Sequence, residues 1–273
     1  MRGQFNTWFG TVYWDGCKIN LVDDADARVC TEVDVGCQIV DAISTHLYIG
    51  VFTHNGVLTT FRFDDPSTMH LLRDVGKENT RETRSVEYRK LPNDLEKEEY
   101  RERSTSGALF ATDNNMYFID RSSQFSRIYH IHSDQSAEDD QSVTLLPLPW
   151  PTTIKSAATG HDFCALLDTC GNVFTFGTGI RGELGTGVTR KQENPTHLES
   201  LADVDVESLT CGGWNCFART EDNEIYTWGW TPDGTFGEKS ASFEPYPVLV
   251  DGNRLIEAKS IVTREIYRNY LKY

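Results

Sequence analysis

The run Gly177-Thr178-Gly179-Ile180-Arg181-Gly182 has the spacing G-x-G-x-x-G, by which a glycine-rich turn between a strand and a helix cradles a dinucleotide pyrophosphate. The next residues, Leu184-Gly185-Thr186-Gly187, start no helix, and the later twin Gly229-Trp230-Thr231-Pro232-Asp233-Gly234 places a proline inside the loop. The glycines are therefore read as repeat punctuation, and no nucleotide or other cofactor site is assigned. His130-Ile131-His132 sets two imidazoles on one face of a strand, as two ligands of a metal site would stand, but no cysteine or carboxylate joins them at ligand spacing. The 7 cysteines form no C-x-x-C pair, and Cys211 and Cys216 have a poor spacing for zinc. Cys164 and Cys216 occupy equivalent repeat positions, which suits small buried core residues better than reactive thiols. With no G-x-S-x-G elbow and no Ser/His/Asp grouping, no catalytic or metal-binding residue is assigned, and the chain is read as a non-enzyme.

The remaining candidates are aromatic. Trp214 and Trp230 stand where the twin unit has Asp162 and Thr178, so the repeat does not itself demand an aromatic there. Both adjoin repeat glycines, near where strands leave the sheet for loops, and tryptophan is enriched among interface hot spots. Together with Asn215, Asp233 and Arg181 as a polar rim, they form the candidate partner-binding site. The alternative is that the two rings only pack against the loops of a neighbouring blade. Trp228 is different: it is in register with Phe176 and is expected to fill a core slot.

The elements that must position these residues are repeats. Val173-Phe174-Thr175-Phe176-Gly177 returns as Ile225-Tyr226-Thr227-Trp228-Gly229 at an offset of 52 residues (177 to 229). The same offset pairs Gly160 with Gly212, Cys164 with Cys216 and Pro195 with Pro247 without a gap. Self-similarity at such a period, built of short β-runs, is the mark of propeller blades, because one unit cannot bury both of its faces alone. An all-β propeller is therefore expected.

Further copies are weaker. His46, Phe52, Gly56 and Phe61 stand at an offset of 115 (46 to 161) from His161, Leu167, Gly171 and Phe176. Ala108-Leu109-Phe110 with Asp113-Asn114-Asn115-Met116-Tyr117 aligns 57 residues before Ala165 to Phe174 (108 to 165). This sets turn anchors at Gly56, Asn114, Gly171 and Asn223, each where a two-strand turn calls for a positive φ. The opening run through Trp8-Phe9-Gly10 looks like a repeat entered halfway, and Ser260 stands 52 residues after Ser208 (208 to 260). The two ends are thus expected to complete one composite blade, giving five blades, or six if a charged excursion hides a degenerate one. That excursion, 64–103, carries both charge signs densely and few apolar residues; it is read as a long loop, partly disordered or helical at its end. Residues 133–142 are read as a shorter acidic loop, and 1–273 as a single domain.

At 273 residues, 38% hydrophobic and 11% aromatic, the chain has the composition of a globular protein with a sizeable core. Its formal net charge of −15 works against salt-driven binding to nucleic acid and suits a basic partner or basic patch better. The start Met1 to Asn6 has no apolar signal region, and the longest apolar run, 39–52, is broken by Asp41 and His46. A reducing interior and no membrane are expected, with the chain monomeric when alone.

The order of apolar strand, Gly, apolar strand, Asp/Glu-x-x-Gly/Asn, aromatic strand with Trp/Phe-Gly, Gly-x-Leu/Phe-Gly and Pro resembles the repeat of the regulator of chromosome condensation family. The resemblance is carried by 156–250, with Cys211-Gly212-Gly213-Trp214 running on to Tyr226-Thr227-Trp228-Gly229-Trp230, and again by the opening Trp8-Phe9-Gly10. Phe163 and Asn215 stand where the repeat usually carries His. What the resemblance implies is a non-catalytic β-propeller scaffold, nuclear and also cytoplasmic, that is chromatin-associated through a protein partner. For a small member of the family, the implied partner is a Jumonji-C type oxygenase acting on histones or other proteins. The family also implies two alternatives: an exchange factor for a Ran-type small GTPase, and a substrate adaptor of a ubiquitin ligase or of a cytoskeletal assembly.

Overall fold

Short runs of β-branched, aromatic and aliphatic residues, each closed by a glycine or polar turn, make strands here. A computed structural model describes residues 2–7, 10–23, 28–46, 48–54, 57–62, 87–90, 107–131, 143–230 and 243–250. Among them the only regular element that is not a strand is a 3-10 turn at Glu199–Leu201. The first sheet has β1 (Arg2–Thr7), β2 (Gly10–Asp15), β3 (Lys18–Asp23) and β4 (Arg28–Asp34). The second has β5 (Ile39–Ser44), β6 (Tyr48–Thr53), β7 (Val57–Arg62) and β8 (Glu87–Lys90). The third has β9 (Gly107–Ala111), β10 (Met116–Asp120), β11 (Arg127–Ile131) and β12 (Val143–Leu146). The fourth has β13 (Ile154–Thr159), β14 (Phe163–Asp168), β15 (Val173–Gly177) and β16 (Gln192–His197). The fifth has β17 (Val206–Cys211), β18 (Asn215–Thr220), β19 (Ile225–Trp230) and β20 (Phe243–Leu249). In every sheet the four strands lie side by side in chain order, the meander expected of a propeller blade.

The offsets read from the sequence are realised residue by residue. Cys164 pairs with Phe176 and Cys216 with Trp228; Leu167 pairs with Val173 and Arg219 with Ile225. Even the irregularities repeat, between Ile154 and Ser156 and between Val206 and Ser208, and again between Ile39 and Asp41 in the second sheet. Gly171 and Asn223 adopt the expected positive φ, 86° and 64°. Gly56 lies outside the described residues.

Three expectations are corrected. Asn114 is not a positive-φ turn residue of the kind found at Gly171. Thr112 N–H donates to the Asn115 carbonyl, and the Thr112 hydroxyl accepts from Asn115 N–H at 3.1 Å. This is the turn between the first two strands of a sheet, matching Gly160 with Phe163 and Gly212 with Asn215. The third copy thus aligns one strand out of step in the sequence: Thr112 closes the first turn of its sheet, as Thr45 closes that of the second, and Asn114-Asn115 in that first turn imitate Gly171-Asn172 of a second turn. Next, the first sheet takes all four strands from residues 2–34, so the opening run is not half of a composite blade. Gly16, at φ 64°, turns β2 back into β3, and Lys18 and Glu32 pair across β3 and β4. Residues 258–262, the expected other half, lie outside the described residues. Last, Glu87–Lys90 within the charged excursion is the outermost strand of the second sheet, pairing Val57 with Lys90 and Thr60 with Glu87. A charged edge strand is tolerated because its outer side needs no apolar cover. The rest of 64–103, and the acidic loop 133–142, lie outside the described residues. Five sheets are present among the described residues.

The strands divide into two compact units, one holding the first two sheets, the other the fourth and fifth, with the strands of the third sheet shared out. In the first unit Val12, Trp14, Ile19, Ile39, Ala42, Ile49 and Val51 form a core. The Asp41 carboxylate fastens β5 to β9 by accepting from Leu109 N–H at 2.8 Å. In the second unit Phe163, Ala165, Leu167, Val173, Leu184, Leu198, Cys216, Ala218 and Trp228 are buried together. Here the loop after β15 crosses to the fifth sheet, and the Trp228 indole N–H donates to the Glu183 carbonyl at 2.8 Å.

Candidate functional site at one end of the fourth and fifth sheets

The turn joining the first and second strands and the loop joining the third and fourth emerge at the same end of each sheet. In the fourth sheet these segments carry His161 and Arg181; in the fifth they carry Trp214 and the start of the loop after Trp230. At the equivalent places Thr178 N–H donates to the Asp162 carbonyl and Trp230 N–H to the Trp214 carbonyl, both at 2.8 Å. Gly177 and Gly229 precede these donors at φ 106° and 99°, and a Cβ on either would run into the backbone of the facing turn. The two tryptophans are thereby forced into one another's company.

Their indoles meet edge to face, with centroids 5.4 Å apart and planes at 74°. The Arg181 guanidinium carbon lies 4.6 Å from the Trp214 ring centroid and 5.5 Å from that of Trp230. At an exposed site such a contact is worth about 0.5–1 kcal/mol. The His161 ring packs on Trp214 as well, with centroids 4.7 Å apart and planes tilted by 53°. Its backbone N–H donates to the Gly213 carbonyl at 3.0 Å, and a Cβ on Gly213 would lie 2.6 Å from His161 Nε2.

Beneath this surface the loop is anchored by Glu183, which is only 2% exposed. Its Oε2 accepts from Arg181 backbone N–H at 2.7 Å, which holds Arg181 where it reaches the rings. Burial raises the Glu183 carboxyl above its ordinary value of 4.5, while donation from its own backbone N–H and that of Arg181, and the Arg181 charge, pull the other way. A folded-state value above the unfolded one means the folded state holds the proton more tightly, so stability falls as pH rises from the ordinary value through the raised one. Glu183→Gln is expected to remove that fall: thermal melts of the two proteins should converge at acid pH and separate above it, with Glu183→Gln the more stable. Parallel curves across the range would sink this assignment.

Of the residues proposed from sequence, Trp214, Trp230 and Arg181 come together. Asn215 does not serve as a rim group: it is buried, its Nδ2 donating to the Trp230 carbonyl at 3.3 Å, because the first residue of β18 points under the turn. Asp233 lies outside the described residues. His161 and Glu183 are members of the site that the sequence reading misses; both stand within repeat segments that look purely structural, and only the offset between neighbouring sheets brings them under Trp214 and Arg181.

Cys164 and Cys216 behave as small core residues. Cys164 and Cys216 are fully buried, and burial pushes both thiols well above their usual range. Cys211 and Cys216 face each other across β17 and β18 with sulfurs 2.9 Å apart, as a hydrogen-bonded thiol pair. His130 stacks on Tyr117 and meets Asn115 Oδ1 at 3.1 Å, while His132 lies outside the described residues.

The regulator of chromosome condensation (RCC1) repeat model matches residues 170–219, the stretch from the second turn of the fourth sheet into β18. The human RCC1 domain-containing protein 1 is 36% identical over 75 residues, 28% of this chain and 20% of that protein. Residues 170–219 thus carry an RCC1 repeat. The match takes in about a fifth of the relative's length. Among solved structures, human WBSCR16 is 15% identical with a TM-score of 0.56, the likeness covering 88% of this chain and 64% of that one. Prp20p of Saccharomyces cerevisiae, whose structure was described with its binding properties to Gsp1p and histones, is 14% identical at a TM-score of 0.53, covering 89% and 59%. At such identities the likeness is one of fold, and the fold is the all-β RCC1 propeller type.

Proposed function

We propose that this RCC1 repeat protein is a non-catalytic interaction scaffold, nuclear and chromatin-associated, that holds a Jumonji-C type oxygenase through the Arg181, Trp214 and Trp230 surface. The observation that carries the reading is the guanidinium laid against two perpendicular indoles at the loop end of the fourth and fifth sheets. Tryptophan and arginine are the residues in which interface energy concentrates, and nothing in the repeat requires either indole. The kind of partner rests on resemblance to the small RCC1 domain-containing relative. Affinity purification of the tagged chain from nuclear extract, with mass spectrometry, tests it: a Jumonji-C oxygenase is expected among the enriched proteins and is expected to be lost in a Trp214→Ala/Trp230→Ala double variant. Enrichment of ligase subunits, or stimulated release of labelled GDP from a Ran-type GTPase, would replace this reading with an adaptor or an exchange factor.

A further inference from the structure

We infer that the ligand of this surface is the side-chain carboxylate of an Asp or Glu in a partner peptide, with an apolar residue beside it; the inference rests on the partner-surface reading. Arg181 is exposed, yet it is held twice, by its backbone N–H on the buried Glu183 carboxylate and by its guanidinium against Trp214 and Trp230. Among the described residues no carboxylate, carbonyl or hydroxyl accepts from the five N–H donors of that guanidinium. Stacking on aromatic rings occupies the faces of a guanidinium and leaves its N–H edge, the fork that fits a carboxylate with two parallel hydrogen bonds. A fork already fixed by its surroundings loses little freedom on binding, which is the condition under which a single charged contact yields affinity.

The flanks of Arg181 are apolar. Ile180 is 60% exposed, and the Phe243 ring, 36% exposed, lies against Gly182, where a Cβ would come within 3.1 Å of it. Phe243 also pairs in register with Trp230, which brings β20 to the same surface. A ligand with a carboxylate next to an aliphatic or aromatic side chain matches this sequence of surfaces. The net charge of −15 opposes an acidic ligand at long range. Beyond about 8 Å that opposition is screened at physiological salt, and at contact the sign is set by Arg181.

The test uses the full chain and a fluorescein-labelled, C-terminally amidated peptide of Gly, Asp and Leu in which Asp and Leu alternate, beside counterparts with Asn or Lys in place of Asp. The wild type is expected to bind the Asp peptide at least about tenfold more tightly than the Asn peptide by fluorescence anisotropy. Arg181→Gln is expected to abolish the preference and Arg181→Lys to keep part of it, with the melting temperature lowered only slightly by loss of the guanidinium–indole contact. Equal binding of the Asp and Asn peptides, a preference that survives Arg181→Gln, or no binding at millimolar peptide would overturn the inference. So would preference for the Lys peptide, which would mean that an ammonium displaces Arg181 from the indoles. If the oxygenase is captured through the tryptophans while the Asp preference is missing, the partner surface stands and only the carboxylate chemistry falls.

Discussion

Trp228→Ala is expected to lower the stability of the second unit by about 3–5 kcal/mol, the range for removing a large aromatic from a packed core. The indole is fully buried, at 0% exposure, among Phe163, Leu184, Leu198, Cys216 and Ala218. It also joins neighbouring sheets: its N–H donates to the Glu183 carbonyl, and a Cβ on Gly185 would sit 2.9 Å from the indole. Glycine at 185, with φ 68°, is what lets the loop after β15 lie flat on that ring. Trp228→Phe keeps most of the volume and leaves the carbonyl without its donor, so it should cost about 1–3 kcal/mol, less than the alanine variant. Denaturant titrations of the three proteins, read by circular dichroism, give the order. A soluble Trp228→Ala protein with the wild-type midpoint would contradict both the burial and the register that pairs Trp228 with Cys216.

That register is legible in the residues because glycine, aromatic and proline positions recur without insertion between the fourth and fifth sheets. Each of those residues has a physical reason to recur: glycine for a turn with positive φ, the aromatic for the slot between sheets, and proline for an outermost strand that needs no N–H on its free side. The offset of 115 carries the second sheet for the same reason, down to the irregularity beside Asp41. Where a turn of one kind carries the letters of another, the pattern misleads. The first turn of the third sheet, closed by Thr112 as Thr45 closes that of the second, holds Asn114-Asn115, which imitate Gly171-Asn172 of a second turn, and so the sheet reads one strand out of step. The first sheet has a hairpin at Gly16 and no Gly-x-Leu-Gly loop among its described residues, so a complete four-stranded sheet looks like a half. Glu87–Lys90 carries no apolar signal because an outermost strand is held by its backbone. At the candidate site, substitution against the repeat exposes the two tryptophans. The contribution of Glu183 is hidden, since a buried carboxylate that holds a loop has the same letter as a solvated one.

Trp214→Ala and Trp230→Ala are each expected to weaken capture of the proposed oxygenase partner at least about tenfold, which corresponds to about 1.4 kcal/mol of binding free energy. Both rings are half-buried rather than enclosed, and neither belongs to the core around Trp228. What each loses differs. Without Trp214, Arg181 keeps only the more distant ring at 5.5 Å and His161 loses its stacking partner. Without Trp230, the nearer contact at 4.6 Å survives, so Arg181 should stay closer to its place and the loss of capture should be the smaller of the two. The backbone links that set the turn, Trp230 N–H to the Trp214 carbonyl and Asn215 Nδ2 to the Trp230 carbonyl, do not involve either indole and survive both changes. The far-ultraviolet spectrum should therefore be retained, and the melting temperature should shift by far less than in Trp228→Ala. Surface plasmon resonance against the oxygenase, with a thermal melt of each variant, separates the accounts. A fall in melting temperature that tracks the loss of capture would make the indoles packing between neighbouring loops, and undiminished capture would remove this end of the sheets as the partner surface.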